Sequence, residues 1–197
     1  MKTYIPELLL DARADLGEGP AWDARSGKLY WVNITCAEVH VFDPASGTDR
    51  VIDLSGQFSN IGTVAPTEDP NLVIIAPDLH IALLNLESEA VEILASVTET
   101  NSRFNDGKCG PDGSFIVGTM HASDPLGHLY TYREGCPPKA VADGVKTSNG
   151  LGWSVDHKTL YYVDSKYKEV YAFDYDGRAG LPKKRRVAVQ LRAGAYS

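Results

Sequence analysis

The 197 residues of the chain are 43% hydrophobic and 23% charged, and the formal net charge is -7 at pH 7. This composition is typical of one ordinary globular domain, and the negative charge disfavours general attraction to nucleic acid or to an anionic membrane. Leu8–Leu10 is too short for the core of a signal peptide, and no run approaches the ~18 apolar residues that would span a membrane, so a cytoplasmic protein is expected.

One strand-like segment recurs along the chain. Its copies begin at Leu29, Leu72, Phe115 and Leu160, at spacings of 43, 43 and 45 residues. Each copy is rich in β-branched and aromatic residues, which favour strands. A period of ~40–45 residues with strand-like copies is typical of β-propellers, in which four-stranded blades stand around a central channel. The pattern therefore predicts an all-β fold with about four blades.

The other strands of each unit follow from the same repeat. A second apolar strand comes after the main one, and a more polar strand follows it, as at residues 50–54. A turn precedes each main strand, so the segment before that turn is the innermost strand of its blade. The innermost strands are predicted at residues 20–22, 62–65, 107–109 and 150–153, where glycines suit the crowded axis.

Polar residues fall at equivalent positions of three units. Glu18 lies 11 residues before Leu29, Asn105 lies 10 before Phe115, and Asn149 lies 11 before Leu160, while the second unit has Ile61 there. Equivalent positions in a propeller share one ring, so a carboxylate and two amides should converge at one end of the channel. Oxygen donors of this kind suit calcium, magnesium or manganese, and no His or Cys joins them to argue for zinc.

Several motifs of the chain resemble the senescence marker protein, regucalcin and gluconolactonase family. The resemblance covers residues near 10 to 180 in the family's order. It implies a six-bladed propeller, of which residues 1–197 form an incomplete part with about four blades, and the hydrolysis of a small sugar lactone with the help of one divalent metal. The motifs are LGEGPAW at residues 16–22, NSRFNDGK at 101–108, GTM at 118–120 and SNGLGWS at 148–154.

The resemblance also implies a role for four residues. Glu18 and Asn149 would bind the metal, for which calcium is favoured and magnesium, manganese or zinc are the alternatives. Arg103 and Asn105 would hold the hydroxyl and carbonyl oxygens of the sugar. In the family, the metal polarises the lactone carbonyl, and an aspartate from a later blade binds the metal and serves as the base for water.

The chain departs from the family pattern at two places. No Asp or Glu follows Asp176, and the Pro-Asp-Gly-Met stretch that leads to the family's aspartate is not found. After Met120, where the family often has a glutamate near the sugar, the chain continues with His121. The catalytic base is therefore left unassigned, and the preferred lactone is not specified.

Three hypotheses follow for the function. The first is a metal-dependent sugar lactonase, which the ring and the motifs favour. The second is a calcium-binding or scaffold propeller without catalysis, which the missing aspartate favours. The third is a truncated chain that cannot close its ring and therefore associates with itself through open blade edges.

Simpler interpretations exist for most of these residues. Glu18 and Asn149 could be turn residues, and Arg103 could pair with Asp106 or Asp112 at the surface. The basic run at residues 183–186 is interpreted as a solvated turn rather than a nucleic-acid or nuclear-import patch. The three cysteines form no Cys-x-x-Cys pair, so they indicate neither a disulfide scaffold nor a zinc site.

Overall fold

A computed structural model describes residues 4–124, 126–178 and 181–191. The remainder of the predicted 1–197 domain lies outside the described residues. Within them the chain forms sixteen strands and one short 3₁₀ helix, Ile34–Cys36. The strands are β1 Gly17–Asp23, β2 Lys28–Asn33, β3 Glu38–Asp43, β4 Thr48–Asp53, β5 Ile61–Pro66, β6 Leu72–Pro77, β7 His80–Asn85, β8 Val91–Ser96, β9 Ser102–Cys109, β10 Phe115–His121, β11 Gly127–Tyr132, β12 Lys139–Val145, β13 Ser148–Trp153, β14 Thr159–Asp164, β15 Glu169–Asp176 and β16 Leu181–Gln190.

The strands form four antiparallel sheets of four consecutive strands each. Every sheet runs in chain order from an inner to an outer strand, as the repeat predicts, and β1, β5, β9 and β13 contain the predicted innermost segments. These four inner strands lie next to one another, β1 beside β5, β5 beside β9 and β9 beside β13. The prediction of an all-β propeller with four blades is confirmed.

The sheets pack face to face through three apolar clusters. The first cluster joins the first and second sheets, the next joins the second and third, and the last joins the third and fourth. Burial of these apolar faces is the main stabilising contribution. The polar outer strands, by contrast, are largely exposed, most completely β16. Representative buried residues of the three clusters are Val32 with Ile75, Phe104 with Ala76, and Ile116 with Tyr162.

The register of the second sheet corrects one part of the predicted ring. Glu18 and Asn149 each pair with the penultimate residue of the following strand, whereas Ile61 pairs with the last residue, Pro77. The residue after Ile61 is Gly62, which therefore occupies the ring position in the second sheet. The second blade contributes a glycine there, and no side chain.

The basic run at residues 183–186 does not form the predicted turn, because it lies inside β16. Lys184 and Arg186 both form ion pairs with Asp174 on the neighbouring strand. Arg185 lies over the ring of Tyr171, 3.8 Å from its centroid. The run is therefore part of a solvated outer strand, and most of its charges have partners. The structure contains no helix long and apolar enough to cross a membrane among the described residues.

Candidate functional site

A cavity of about 520 Å³ opens at the centre of the four sheets. This volume lies within the ~300–1,000 Å³ range of small-molecule sites. All four inner strands contribute to its wall, so the cavity is the channel that the propeller pattern predicts. Its lining residues include Glu18, Trp22, Val64, Asp106, Lys108 and Gly150.

Three of the four predicted site residues are linked by hydrogen bonds. The guanidinium of Arg103 donates from Nη1 to Asn105 Oδ1 at 2.7 Å and to the carbonyl oxygen of Phe104 at 2.9 Å. Asn105 Nδ2 in turn donates to Asn149 Oδ1 at 3.1 Å and to the carbonyl oxygen of Ser148 at 2.7 Å. The structure thus brings the third and fourth blades together at the ring, as equivalent repeat positions require.

Glu18 differs from the other three because its side chain is exposed and makes no hydrogen bond or ion pair with any residue that the structure describes. Its charge nevertheless acts on two neighbours. Burial lowers the pKa of Arg103, and the Glu18 carboxylate opposes that change. Burial raises the pKa of Asp106, and Glu18 adds to that rise, while hydrogen bonds from Gly150 and Gly107 oppose it. Glu18 is therefore a free anionic oxygen donor at the same end of the channel.

Asp106 is a residue of the channel wall to which the sequence interpretation assigned no role in the site. Its carboxylate accepts hydrogen bonds from the backbone N–H groups of Gly107 and Gly150, both at 2.8 Å. The second of these bonds joins β9 to β13 immediately after Asn149. The signal in the sequence was the Asp-Gly pair at residues 106–107, which is equally typical of a turn.

The predicted surface ion pairs of Arg103 do not form. Besides its bonds to Asn105 and to the backbone, Arg103 lies 3.6 Å from the sulfur of Met120. Asp112 instead binds Arg133 and the hydroxyl of Tyr175. Arg103 is therefore directed toward Asn105 and Met120 rather than toward an acidic partner.

His121, which stands where the family often has a glutamate, is buried. Its Nδ1 accepts hydrogen bonds from the backbone N–H groups of Ser123 at 3.3 Å and Asp124 at 3.0 Å. A ring nitrogen that accepts from two N–H groups carries no proton. His121 therefore organises the loop after β10.

The ligand atoms that the ring offers are of the type that a hard cation prefers. Glu18 offers a carboxylate without a partner among the described residues, and Asn149 offers an amide oxygen. Hard cations such as calcium prefer oxygen ligands. The described residues contain no group of three or more His, Cys, Asp and Glu side chains able to hold a metal ion. Because calcium takes six to eight oxygen ligands, these two side chains alone would not complete a coordination shell.

Comparisons with known proteins identify the family of the chain. Residues 16–196 match the family described as the SMP-30/gluconolactonase/LRE-like region. Regucalcin from Xenopus laevis is 37% identical over 98% of this chain and 66% of its own length. The putative sugar lactone lactonase YvrE from Bacillus subtilis is 33% identical over 86% of this chain and 58% of its own length.

A solved structure gives the same result for the fold. The calcium-binding protein regucalcin from Agrobacterium tumefaciens superposes with a TM-score of 0.84 at 29% identity, over 91% of this chain and 61% of that one. The chain spans about three-fifths to two-thirds of the length of the curated relatives it matches. Its four sheets correspond to four blades of a six-bladed propeller.

Proposed function

This chain belongs to the SMP-30/gluconolactonase/LRE-like family, and we propose that its function is the metal-dependent hydrolysis of a sugar lactone at this end of the channel. One observation carries the proposal. Arg103, Asn105 and Asn149 form a hydrogen-bonded series, and this series adjoins the wall of the central cavity, which contains Glu18 and the residues that follow the two asparagines, Asp106 and Gly150. This arrangement combines oxygen atoms that can bind a cation with N–H groups that can donate hydrogen bonds to a polar substrate.

The proposal assigns two pairs of residues. Glu18 and Asn149 would hold one divalent metal ion, with calcium favoured because their ligand atoms are oxygens. When bound, the ion supplies Lewis-acid polarisation of the lactone carbonyl. Arg103 and Asn105 would hold the hydroxyl and carbonyl oxygens of the sugar, since Arg103 has N–H groups beyond those that donate to Asn105 and Phe104. Its guanidinium is held in place by the Phe104 carbonyl, which favours a rigid binding site.

A second function, metal and lactone binding without turnover, is favoured by a specific observation. Asp106 is a carboxylate of the channel wall, but it is only partly exposed and both its oxygens accept backbone N–H groups. A carboxylate so engaged is poorly placed to take a proton from water. The sequence has no Asp or Glu beyond Asp176, so the proposed hydrolysis depends on a base that no residue assigned here provides.

Calcium addition distinguishes the two functions. Protein freed of metal by a chelator should accelerate the hydrolysis of a sugar lactone only after calcium is restored, measured as acid release above the spontaneous rate. Arg103→Met should abolish this gain even at a calcium concentration that saturates the variant, because the guanidinium is assigned to the substrate and not to the ion. A folded protein that binds calcium and leaves the spontaneous rate unchanged would support the second function and exclude the first.

We further propose self-association through the two terminal sheets. Leu160 and Tyr162 are buried against the third sheet, whereas Tyr161 between them points to the opposite side and is 43% exposed. That side of the fourth sheet has no neighbouring sheet among the described residues. Apolar sheet faces of this kind normally pack on another repeat.

This proposal predicts species larger than the 21.4 kDa monomer in sedimentation velocity, increasing with protein concentration. Tyr161→Lys should shift the distribution toward the monomer by placing a charge in the contact. The matched control is Ile93→Lys, because Ile93 is 46% exposed on the outer strand of an internal sheet. Monomeric wild-type protein at all concentrations would contradict the proposal.

The cytoplasmic location and the expectation of no nucleic-acid or membrane partner stay predictions.

A further inference from the structure

In three blades, a side chain at the end of the second strand accepts backbone N–H groups from the segment before the first strand. This side chain belongs to the last residue of the second strand in two blades and to the residue after it in the other. In the first blade, Asn33 Oδ1 accepts the backbone N–H of Leu16 at 3.0 Å, just before β1. In the second, the carboxylate of Asp78, the residue after β6, accepts the N–H groups that precede β5, which belong to Ser59 and Asn60. In the fourth, Asp164 accepts those of the segment before β13. Each of these side chains therefore fastens the segment that leads into an inner strand.

The fourth blade has the most complete version of this arrangement. Asp164 is fully buried, and its Oδ2 accepts the N–H of Lys146 at 2.8 Å. Its Oδ1 accepts the N–H of Thr147 at 3.1 Å and that of Lys166 at 3.0 Å. One carboxylate thus holds together the segment before Asn149 and the turn after β14.

That turn presents Ser165 to the site. Asn149 Nδ2 donates to Ser165 Oγ at 2.9 Å, while Asn149 Oδ1 accepts from Asn105 Nδ2 at 3.1 Å. Rotating the Asn149 amide by half a turn would place its NH₂ group against the NH₂ group of Asn105. Asn105 therefore determines that the oxygen of Asn149 faces it, and Ser165 holds the amide in this orientation by accepting from its NH₂ group.

We propose that Asp164 and Ser165 are positioning residues that orient the Asn149 oxygen for the metal. The inference rests on the proposed function, because it assumes that Asn149 is a ligand. Partners that orient metal ligands are typical of metal sites, and their loss costs roughly 10- to 100-fold in affinity. Asp164 acts on the backbone that carries Asn149, and Ser165 acts on the amide itself.

The matched control for Asp164 is Asp78. Both carboxylates accept two backbone N–H groups of the segment before an inner strand, but the segment held by Asp78 leads to Gly62, which has no side chain to offer a metal. Asp164→Asn should weaken calcium binding about 10- to 100-fold, measured by titration calorimetry. Asp78→Asn should lower the thermal midpoint in the same direction and leave the calcium affinity unchanged.

Ser165 gives a second test. Its side chain is exposed, so its substitution should not lower the stability of the fold. Ser165→Ala should weaken calcium binding about tenfold, and Ser165→Thr, which keeps the hydroxyl, should restore it. With terbium in place of calcium, the luminescence lifetime reports the number of bound water molecules. Ser165→Ala and Asp164→Asn should each shorten the lifetime, because water replaces the Asn149 oxygen, and Asp78→Asn should not.

The outcomes separate the inference from the proposed function. If the folded wild-type protein binds neither calcium nor terbium, the proposed metal site is wrong and the inference is overturned with it. If the wild type binds and Asn149→Ala loses affinity, but Asp164→Asn and Ser165→Ala bind as the wild type does, the metal site stands and the positioning role is wrong. Equal losses for Asp164→Asn and Asp78→Asn would reduce Asp164 to a structural role.

Discussion

Replacing Glu18 with glutamine should weaken calcium binding by about 100-fold or more, since the loss of even an outer partner of a metal ligand costs roughly 10- to 100-fold. Glutamine keeps the size of the side chain and one oxygen, so the change removes the negative charge and one of the two ligand oxygens. Glu18 is exposed and forms no hydrogen bond within the described residues. The thermal midpoint should therefore stay unchanged, and the loss of affinity can be assigned to the site itself.

The measurement is a calorimetric calcium titration of both proteins at matched ionic strength, because surface charges are screened by salt. Glu87→Gln is the matched control, since it removes the same charge from an exposed position in the turn after β7. Equal affinities for the wild type and Glu18→Gln would contradict the metal assignment. A second readout is available because Glu18 raises the pKa of Asp106, so its neutralisation should lower that pKa.

The architecture could be predicted from the sequence because its signals are local. The apolar strand that begins at Leu29 recurs with a blade-length period, and every copy forms the second strand of a sheet. The register of the second sheet could not be predicted in the same way. Residues 72–76 are uniformly apolar, so either Leu72 or Val73 can be aligned with Leu29, and the observed pairing of Ile61 with Pro77 moved the ring position to Gly62.

The partners of the site residues were less predictable than their positions. The repeat brought Asn105 and Asn149 to one ring, but it carries no information on side-chain direction. The bond from Asp106 to the N–H of Gly150 spans two sheets, and the bond from Asn149 to Ser165 depends on the turn after β14. Such contacts arise only once the sheets are packed, so residues that looked like ordinary turn formers in the sequence proved to organise the site.

Gly62→Ala should destabilise the protein by about 3 kcal/mol or more, at the upper end of the range for overpacked cores. A Cβ atom at this position would lie 2.5 Å from the carbonyl oxygen of Phe104 and 2.6 Å from that of Asn105. Both contacts are to backbone atoms of β9, which cannot rotate away as a side chain can. The second and third sheets would have to separate, and that movement opposes the burial of Phe104 between them.

The matched control is Gly152→Ala on β13, another inner strand. A Cβ atom at Gly152 meets no other atom within 4 Å, so this change should alter stability by no more than about 0.5 kcal/mol, as expected for a site without steric conflict. Urea unfolding of the two variants measures the difference. Equal stability of Gly62→Ala and the wild type would show that β5 and β9 do not approach as closely as described.

The Gly62→Ala substitution should also affect the candidate site, because one of the two carbonyl oxygens that its Cβ atom would contact belongs to Asn105. A displaced Asn105 backbone would break the bond from its Nδ2 to Asn149 Oδ1, which is already 3.1 Å long. Domains are stable by only ~5–15 kcal/mol, so the variant should be studied in the cold, where a folded fraction remains. That fraction should bind calcium more weakly than Gly152→Ala does. Gly62 is thus as necessary to the site as the ring positions that carry side chains. Because it has no Cβ atom, β5 can approach β9 closely and leave Asn105 in place to donate its hydrogen bond to Asn149.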